Sequence, residues 1–286
     1  MNKKGIISKL SSILLLSSVL FSPLSACAET TDSDYFTTHK NKLIWSDEFE
    51  GTQINQNNWI YDIGKGNNGN TDGWGNNELQ YYTDRSDNAR IEDGNLVIEA
   101  KKENYNGSEY TSARLKTKGL QEFTYGRIEA RMKLPMEQGT WPAFWMLGSS
   151  FTGDDAWPYC GEIDIMEHVN KESVVSGALH WDNNGSQTFG QSKYDINPDE
   201  YHIYALEWTR NYIKWYVDDT LFCAADISDI VIPNLERNIK NNDAFHQPFF
   251  ILLNMAVGGN WPKSPDDSTN FPAKMYVDYV RVYSEN

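Results

Sequence analysis

Gly126-Arg-Ile-Glu-Ala-Arg-Met-Lys-Leu134 sets Ile128, Ala130, Met132 and Leu134 in strict alternation with Arg127, Glu129, Arg131 and Lys133. Successive side chains of a β-strand leave opposite faces, so this run is a strand with one apolar and one solvated face. Residues 96–100, 203–208, 213–217 and 276–283 repeat the pattern in shorter form. Turn-forming clusters separate such runs, among them Asp93-Gly94-Asn95, Asp182-Asn183-Asn184-Gly185 and Asp218-Asp219. The best helical candidate, 234–242, is a couple of turns at most. The chain therefore reads as all-β, a sandwich of two antiparallel sheets in which a curved sheet offers a groove on its concave face. No internal repeat of about 20–50 residues stands out, which argues against a propeller or solenoid.

Gly161-Glu-Ile-Asp-Ile-Met-Glu-His168 shows the alternation with acids on one face. Glu162 and Asp164 project together, but Glu167, five residues beyond Glu162, falls on the opposite face of a regular strand. A bulge within Ile165-Met166 restores the phase. Glu162 and Glu167 then lean toward each other. Two carboxylates about 5–5.5 Å apart are what a retaining glycosidase needs, one as nucleophile and the other as acid and then base. Asp164 is placed to share a proton or hydrogen bond with Glu162, and repulsion among three close acids raises at least one pKa. A motif this short also fits a solvated strand face with acids placed by chance, so its context decides.

The context is aromatic. Trp74, Trp141, Trp145, Trp157, Trp181 and Trp261 lie outside aliphatic runs, many beside Gly, Asn or Pro, and indole rings stack on the apolar faces of sugars. Trp141 and Trp145, four apart, share a strand face and can underlie successive sugar units. Pro142 between them fits an edge or irregular strand. Gly75-Asn76-Asn77-Glu78 offers amides and a carboxylate to sugar hydroxyls, or forms an ordinary Asn/Gly turn.

The N-terminus reads as an export signal: Lys3 and Lys4, an apolar run through Leu20, then Leu24-Ser25-Ala26-Cys27. Small residues ahead of a cysteine resemble the bacterial lipoprotein box, in which Cys27 is lipidated and its acyl chains anchor the protein to a membrane; an ordinary secretory cleavage nearby is the alternative. The chain then divides into a signal over 1–26, a polar tether over 27–41 and a catalytic domain over 42–286, working at the cell surface or facing the periplasm. Residues 1–26 hold three lysines and no acid, so their removal takes the formal net charge from −15 to −18. Such a charge argues against a nucleic-acid partner and favours a neutral polymer over a sulfated or uronic one. Cys160 and Cys223 remain either as a disulfide or as two buried thiols.

Taken together, the acid motif, Asn76-Asn-Glu-Leu-Gln-Tyr-Tyr82, Gly126-Arg-Ile-Glu-Ala-Arg131, Trp141-Pro-Ala-Phe-Trp-Met-Leu-Gly148 and Ala256-Val-Gly-Gly-Asn-Trp-Pro262 resemble glycoside hydrolase family 16 across essentially residues 42–284. The resemblance implies a β-jelly-roll sandwich and retaining hydrolysis of β-linked polysaccharides, with Glu162 as nucleophile, Glu167 as general acid/base and Asp164 as the assisting carboxylate. It implies glycan contacts at Asn76, Arg114, Trp141, Trp145 and His180, and no cofactor for catalysis. It also implies a structural calcium held by main-chain oxygens of Glu48 and Gly94 and the side chain of Asp278, oxygen donors that suit this ion. Met166 separates the chain from the bulge-free lichenases with Glu-x-Asp-x-Glu and makes it similar to the laminarinase branch. That branch mixes β-1,3-glucanases with some enzymes for mixed-linkage β-1,3-1,4-glucan and with agarases. The expected activity is endo-acting hydrolysis of β-1,3-glucan of the laminarin type by a monomer, with mixed-linkage glucan as the alternative. A transglycosylase would use the same carboxylates; a glycan-binding protein on this fold would have lost an acid, and all three are present.

Overall fold

A computed structural model describes residues 42–66, 72–153, 156–228 and 242–285. The export signal, Cys27 and the 27–41 tether lie outside the described residues. So does the helix candidate 234–242 apart from Asn242, which opens the short 3-10 turn Asn242–Phe245.

Seventeen strands run through the described residues. The first half of the chain forms β1 (Leu43–Asp47), β2 (Ile60–Asp62), β3 (Gln80–Tyr82), β4 (Ala89–Glu92), β5 (Asn95–Tyr105), β6 (Ser108–Ser112), β7 (Arg114–Lys116), β8 (Gly126–Lys133) and β9 (Thr140–Gly148). The rest forms β10 (Glu162–Glu167), β11 (Val174–Asp182), β12 (Ser186–Tyr194), β13 (His202–Trp208), β14 (Tyr212–Val217), β15 (Thr220–Asp226), β16 (Phe249–Val257) and β17 (Ala273–Tyr283). Ten strands make one sheet, ordered β15-β14-β13-β8-β17-β5-β6-β3, with β1 beside β17 and β4 beside β5. Seven make the other, ordered β12-β11-β10-β9-β16-β7-β2. The two antiparallel sheets are as expected, with one local departure: β3 runs parallel to β6. A parallel pair needs a crossover, and here the chain passes through β4 and β5 between the two.

All five alternating runs lie in the ten-stranded sheet, in β5, β8, β13, β14 and β17. Their apolar positions, such as Ile128, Ala130 and Met132, meet Phe144, Met146, Ile163, Leu179, Ile251 and Leu253 of the facing sheet in one buried core. Fully burying an Ile, Leu, Met or Phe side chain stabilises the fold by about 1.5–3 kcal/mol. The opposite, outer face of the seven-stranded sheet is only partly apolar: Leu147, Cys160, Phe250 and Leu252 form a small second cluster there. No disulfide joins Cys160 to Cys223; both are buried, one in each cluster.

Candidate active site on the outer face of the seven-stranded sheet

The register around β10 shows how the sequence brings three acids together. Against β11, Asp164 faces Ala178 and Glu167 faces Ser176, so three steps along β10 match two along its partner. Against β9, Asp164 faces Trp145 while Met166 faces Phe144, two steps against one. The extra residue lies at Ile165-Met166, as expected. Ile163, Ile165 and Met166 enter the core, and Glu162, Asp164 and Glu167 share the outer face. The bulge is held from behind. Trp215 of β14 crosses the core and donates its indole N–H to the Asp164 carbonyl at 2.8 Å. Its ring lies so close to β11 that a Cβ at Gly177 would come within 2.5 Å of it. Only glycine leaves room for that approach.

Neighbouring strands and the turn ahead of β10 deliver the partners of the three acids. Glu162 stands opposite His180 in the β10–β11 pair, with its Oε1 3.9 Å from His180 Nε2, and its Oε2 accepts from Trp157 Nε1 at 2.9 Å. Asp164 is 3% exposed; its Oδ2 lies 3.2 Å from His180 Nε2. Glu167 Oε1 accepts from Trp141 Nε1 at 3.0 Å. Burial, and then the Asp164 charge, push the Glu162 carboxyl up to about 8, against the smaller opposing pull of His180, Trp157 and Arg114. Burial likewise raises Asp164. Glu167 rises well above the usual carboxylate range, through burial first and then the charges of Asp164 and Glu162. Three carboxyls in one water-poor patch cannot all ionise at neutral pH, so the cluster retains protons there and titrates as a unit.

Of the expected glycan contacts, Trp141, Trp145 and His180 lie on this face, half-buried. Trp145 is locked by a polar chain running inward. Its Nε1 donates to Asn254 Oδ1 at 2.7 Å, Asn254 Nδ2 donates to Tyr82 Oη at 3.1 Å, and Tyr82 Oη donates to Glu78 Oε2 at 3.4 Å. Arg114 is held between the Trp74 and Trp145 rings, 4.8 Å from each, and 3.1 Å from Asp62 Oδ2. Its guanidinium therefore backs the Trp145 platform. Asn76 lies in the Gly73–Asn77 segment; its side chain bonds Glu78 and its carbonyl accepts from Asn260 N at 2.8 Å. A β-bridge between Glu78 and Gly258 thus joins two motifs about 180 residues apart into one rim, where Trp261 meets Trp141 edge-on at 5.5 Å.

Trp181 and Pro142 depart from expectation. Trp181 points into the core, against Phe245, because its position on β11 has the parity of Leu179. Pro142 sits in β9, a central strand flanked by β10 and β16. It is tolerated because its carbonyl accepts from His168 N at 3.2 Å, just past the end of β10. The N–H that proline lacks faces that same side, where the ladder has stopped. Trp157, Asn254, Tyr82 and Asp62 were missed or left unassigned by the motifs, and the Glu78 carboxylate, expected to meet sugar hydroxyls, is bonded by Gln80 and Tyr82; an amide inside the otherwise apolar run of β16 was the available signal for Asn254. The residues expected to hold calcium lie elsewhere. Gly94 is in the β4–β5 turn, Glu48 follows β1 with its carboxylate on Arg281 at 3.0 and 2.8 Å, and Asp278 Oδ2 is 2.8 Å from Arg131 Nη1.

A strand with bulged acids, flanked by tryptophans on an exposed sheet face, has known counterparts. Residues 76–281 match the family described as glycosyl hydrolases family 16. The chain belongs to this family. Within family 16 it is similar to the β-glucanase of Rhodothermus marinus, with 42% identity over 284 residues covering 96% of each chain. It is also similar to the clotting factor G alpha subunit of Tachypleus tridentatus, 43% identical over 86% of this chain, though it spans only 34% of that longer relative. Among solved structures, the catalytic domain of an endo-1,3-β-glucanase (laminarinase) from Thermotoga petrophila RKU-1 superimposes with a TM-score of 0.74 at 40% identity, covering 86% of this chain and 98% of that one. The two-sheet sandwich is thus the family 16 jelly roll.

Proposed function

We propose that the protein is an endo-acting, retaining β-glucanase whose preferred substrate is a neutral β-1,3-glucan. The observation that carries this reading is the bulge that turns Glu167 to the face of Glu162. Glu167, kept protonated by burial and by its acidic neighbours, donates its proton to the glycosidic oxygen as the bond to the anomeric carbon breaks. Glu162 attacks that carbon to form a glycosyl-enzyme. It attacks as the carboxylate, and the Trp157 N–H, His180 and Arg114 oppose the upward push that burial and Asp164 exert on its acidity. Glu167, now a carboxylate, takes a proton from water, which displaces Glu162 and restores both groups. Asp164, against His180, tunes the charge of the pair. Trp141 and Trp145 provide stacking surfaces, and the indole N–H of Trp141 orients Glu167.

The test is hydrolysis of laminarin and, separately, of mixed-linkage barley glucan, with Glu162→Gln as control. Faster release of oligosaccharides from laminarin supports the reading, a preference for barley glucan replaces it with the mixed-linkage alternative, and activity surviving in folded Glu162→Gln removes the assigned nucleophile.

We also propose a structural calcium held by the main-chain oxygens of Glu48 and Gly94 and by Asp278. Strand register supports it: β17 pairs with β5 up to Val277 and with β1 from Val280, and Asp278 is the extra residue of a bulge between them. All three donors are oxygens. The ion would cross-link β1, β5 and β17 and take no part in bond cleavage; a melting temperature unmoved by chelator would refute it. For Cys27 we propose lipid anchoring after export, checked by fatty-acid labelling that Cys27→Ala abolishes.

A further inference from the structure

We infer that Glu162, Asp164 and His180 form a binding site for a divalent transition-metal ion, zinc above all, and that its occupation blocks the glycosidase reaction. The blocking half of the inference rests on the role proposed for Glu162; the metal site does not. The three residues present ligand atoms that all lie within 4.8 Å of one another. His180 Nε2 is 3.2 Å from Asp164 Oδ2 and 3.9 Å from Glu162 Oε1. Two donors each about 2.1 Å from a tetrahedral zinc ion stand about 3.4 Å apart, so the ion is accommodated by small side-chain rotations.

The atoms facing this point are near one another and make no hydrogen bond elsewhere. Asp164 is almost wholly buried, yet its Oδ2 makes no hydrogen bond, a costly state for a carboxylate oxygen. The other ends of the remaining two ligands are fixed from outside. Glu162 Oε2 is held by Trp157 Nε1, and His180 Nδ1 is 2.9 Å from the Thr188 hydroxyl. This is the outer-shell support that orients metal-ligating histidines and carboxylates. One imidazole nitrogen with two carboxylate oxygens suits zinc or copper, whereas calcium and magnesium prefer oxygen alone. A doubly charged ion also offsets the repulsion between Glu162 and Asp164. Glu167 is held aside by Trp141, which leaves the fourth position for water. With Glu162 bound to the ion, its oxygen is unable to attack a sugar, so metal and glucan exclude each other.

The experiment titrates zinc chloride into the full chain in calcium-containing buffer by calorimetry, and in parallel follows laminarin hydrolysis. We expect one zinc per chain at this site, competition with laminari-oligosaccharides, and inhibition reversed by excess chelator followed by calcium. His180→Ala and Asp164→Asn, checked for folding by near-ultraviolet circular dichroism, should weaken zinc binding about 100-fold, and Thr188→Val about 10-fold, in line with losses at inner and outer shells. Zinc binding unchanged in the folded His180→Ala and Asp164→Asn variants would assign the ion elsewhere and overturn the proposal, as would an active enzyme that saturating zinc does not slow. Zinc binding that requires His180, in a protein inactive on every glucan, would support the site and overturn the glucanase reading instead.

Discussion

Both outer faces of the sandwich carry carboxylates at alternate strand positions, with opposite consequences. On the ten-stranded sheet, Arg127 reaches Glu129 at 2.8 Å and Glu207 at 3.3 Å, and Arg90 lies 2.6 Å from Glu92 and 2.7 Å from Glu99. Hydrogen bonds from Arg281 and Arg90 hold the Glu48 and Glu92 carboxyls below the usual range. On the seven-stranded sheet, the partners found among the described residues for Glu162, Asp164 and Glu167 are indoles and one imidazole. Their acidities move the other way. The difference comes from what the adjacent strand supplies at the matching register. Arg127 faces Glu207 across the β8–β13 pair, while Glu162 faces His180 across β10–β11. A paired acid is a strut, and a crowded one in a half-buried patch keeps its proton.

This contrast predicts that the two faces respond to substitution in different observables. The largest effect belongs to Glu162→Gln, for which we expect kcat to fall by about 10⁴-fold or more with the fold retained; Glu129→Gln on the other face should leave kcat unchanged. Arg127→Ala should cost about 3 kcal/mol of stability, because Glu129 and Glu207 lose their counter-charge while buried. Denaturant melts would show that loss, with kcat/KM unaltered. Asn254→Leu strands the N–H of Trp145 and removes the donor to the Tyr82 oxygen, which keeps its bond to Glu78, a penalty of about 1–3 kcal/mol, and should raise KM for glucan more than it lowers kcat.

The smallest effect is a pH dependence of opposite sign on the two faces. Between the unfolded glutamate pKa of about 4.3 and about 8 for Glu162, the native protein holds a proton that the unfolded chain has released. Stability therefore falls as pH rises through that window. Glu162→Gln should melt above the wild type at pH 8, by roughly 2–4 °C for each kcal/mol relieved, and together with it near pH 4. Glu48, whose native pKa is lowered, contributes stability above its unfolded pKa and loses it as pH falls through the native one, so Glu48→Gln should melt below the wild type at pH 7 and match it in acid. Melting curves of the two variants that shift in the same direction at pH 8 would show that the acids of the two faces are not held in opposite protonation states.

Sequence alone determined the class of the fold and singled out the three acids that share one sheet face. Strands with one solvated face announce themselves by alternation, which is why the five runs with a charged or polar outer face, from β5 to β17, proved to be strands of the ten-stranded sheet and the acid-bearing run proved to be β10 of the other. The bulge was legible too, since Glu167 has the wrong parity for a regular strand. The seven-stranded sheet was harder to read. Phe249-Phe-Ile-Leu-Leu-Asn-Met-Ala-Val257 is buried at every position, because its outer side is covered by cleft residues, and a continuous apolar run has no period to betray a strand. Tertiary structure alone decided which indoles are core and which are lining, that Arg114 braces Trp145, and that Trp215 pins the bulge from the opposite sheet. Each of these depends on register between strands far apart in the chain, and side-chain parity within a single strand carries no information about what stands across from it.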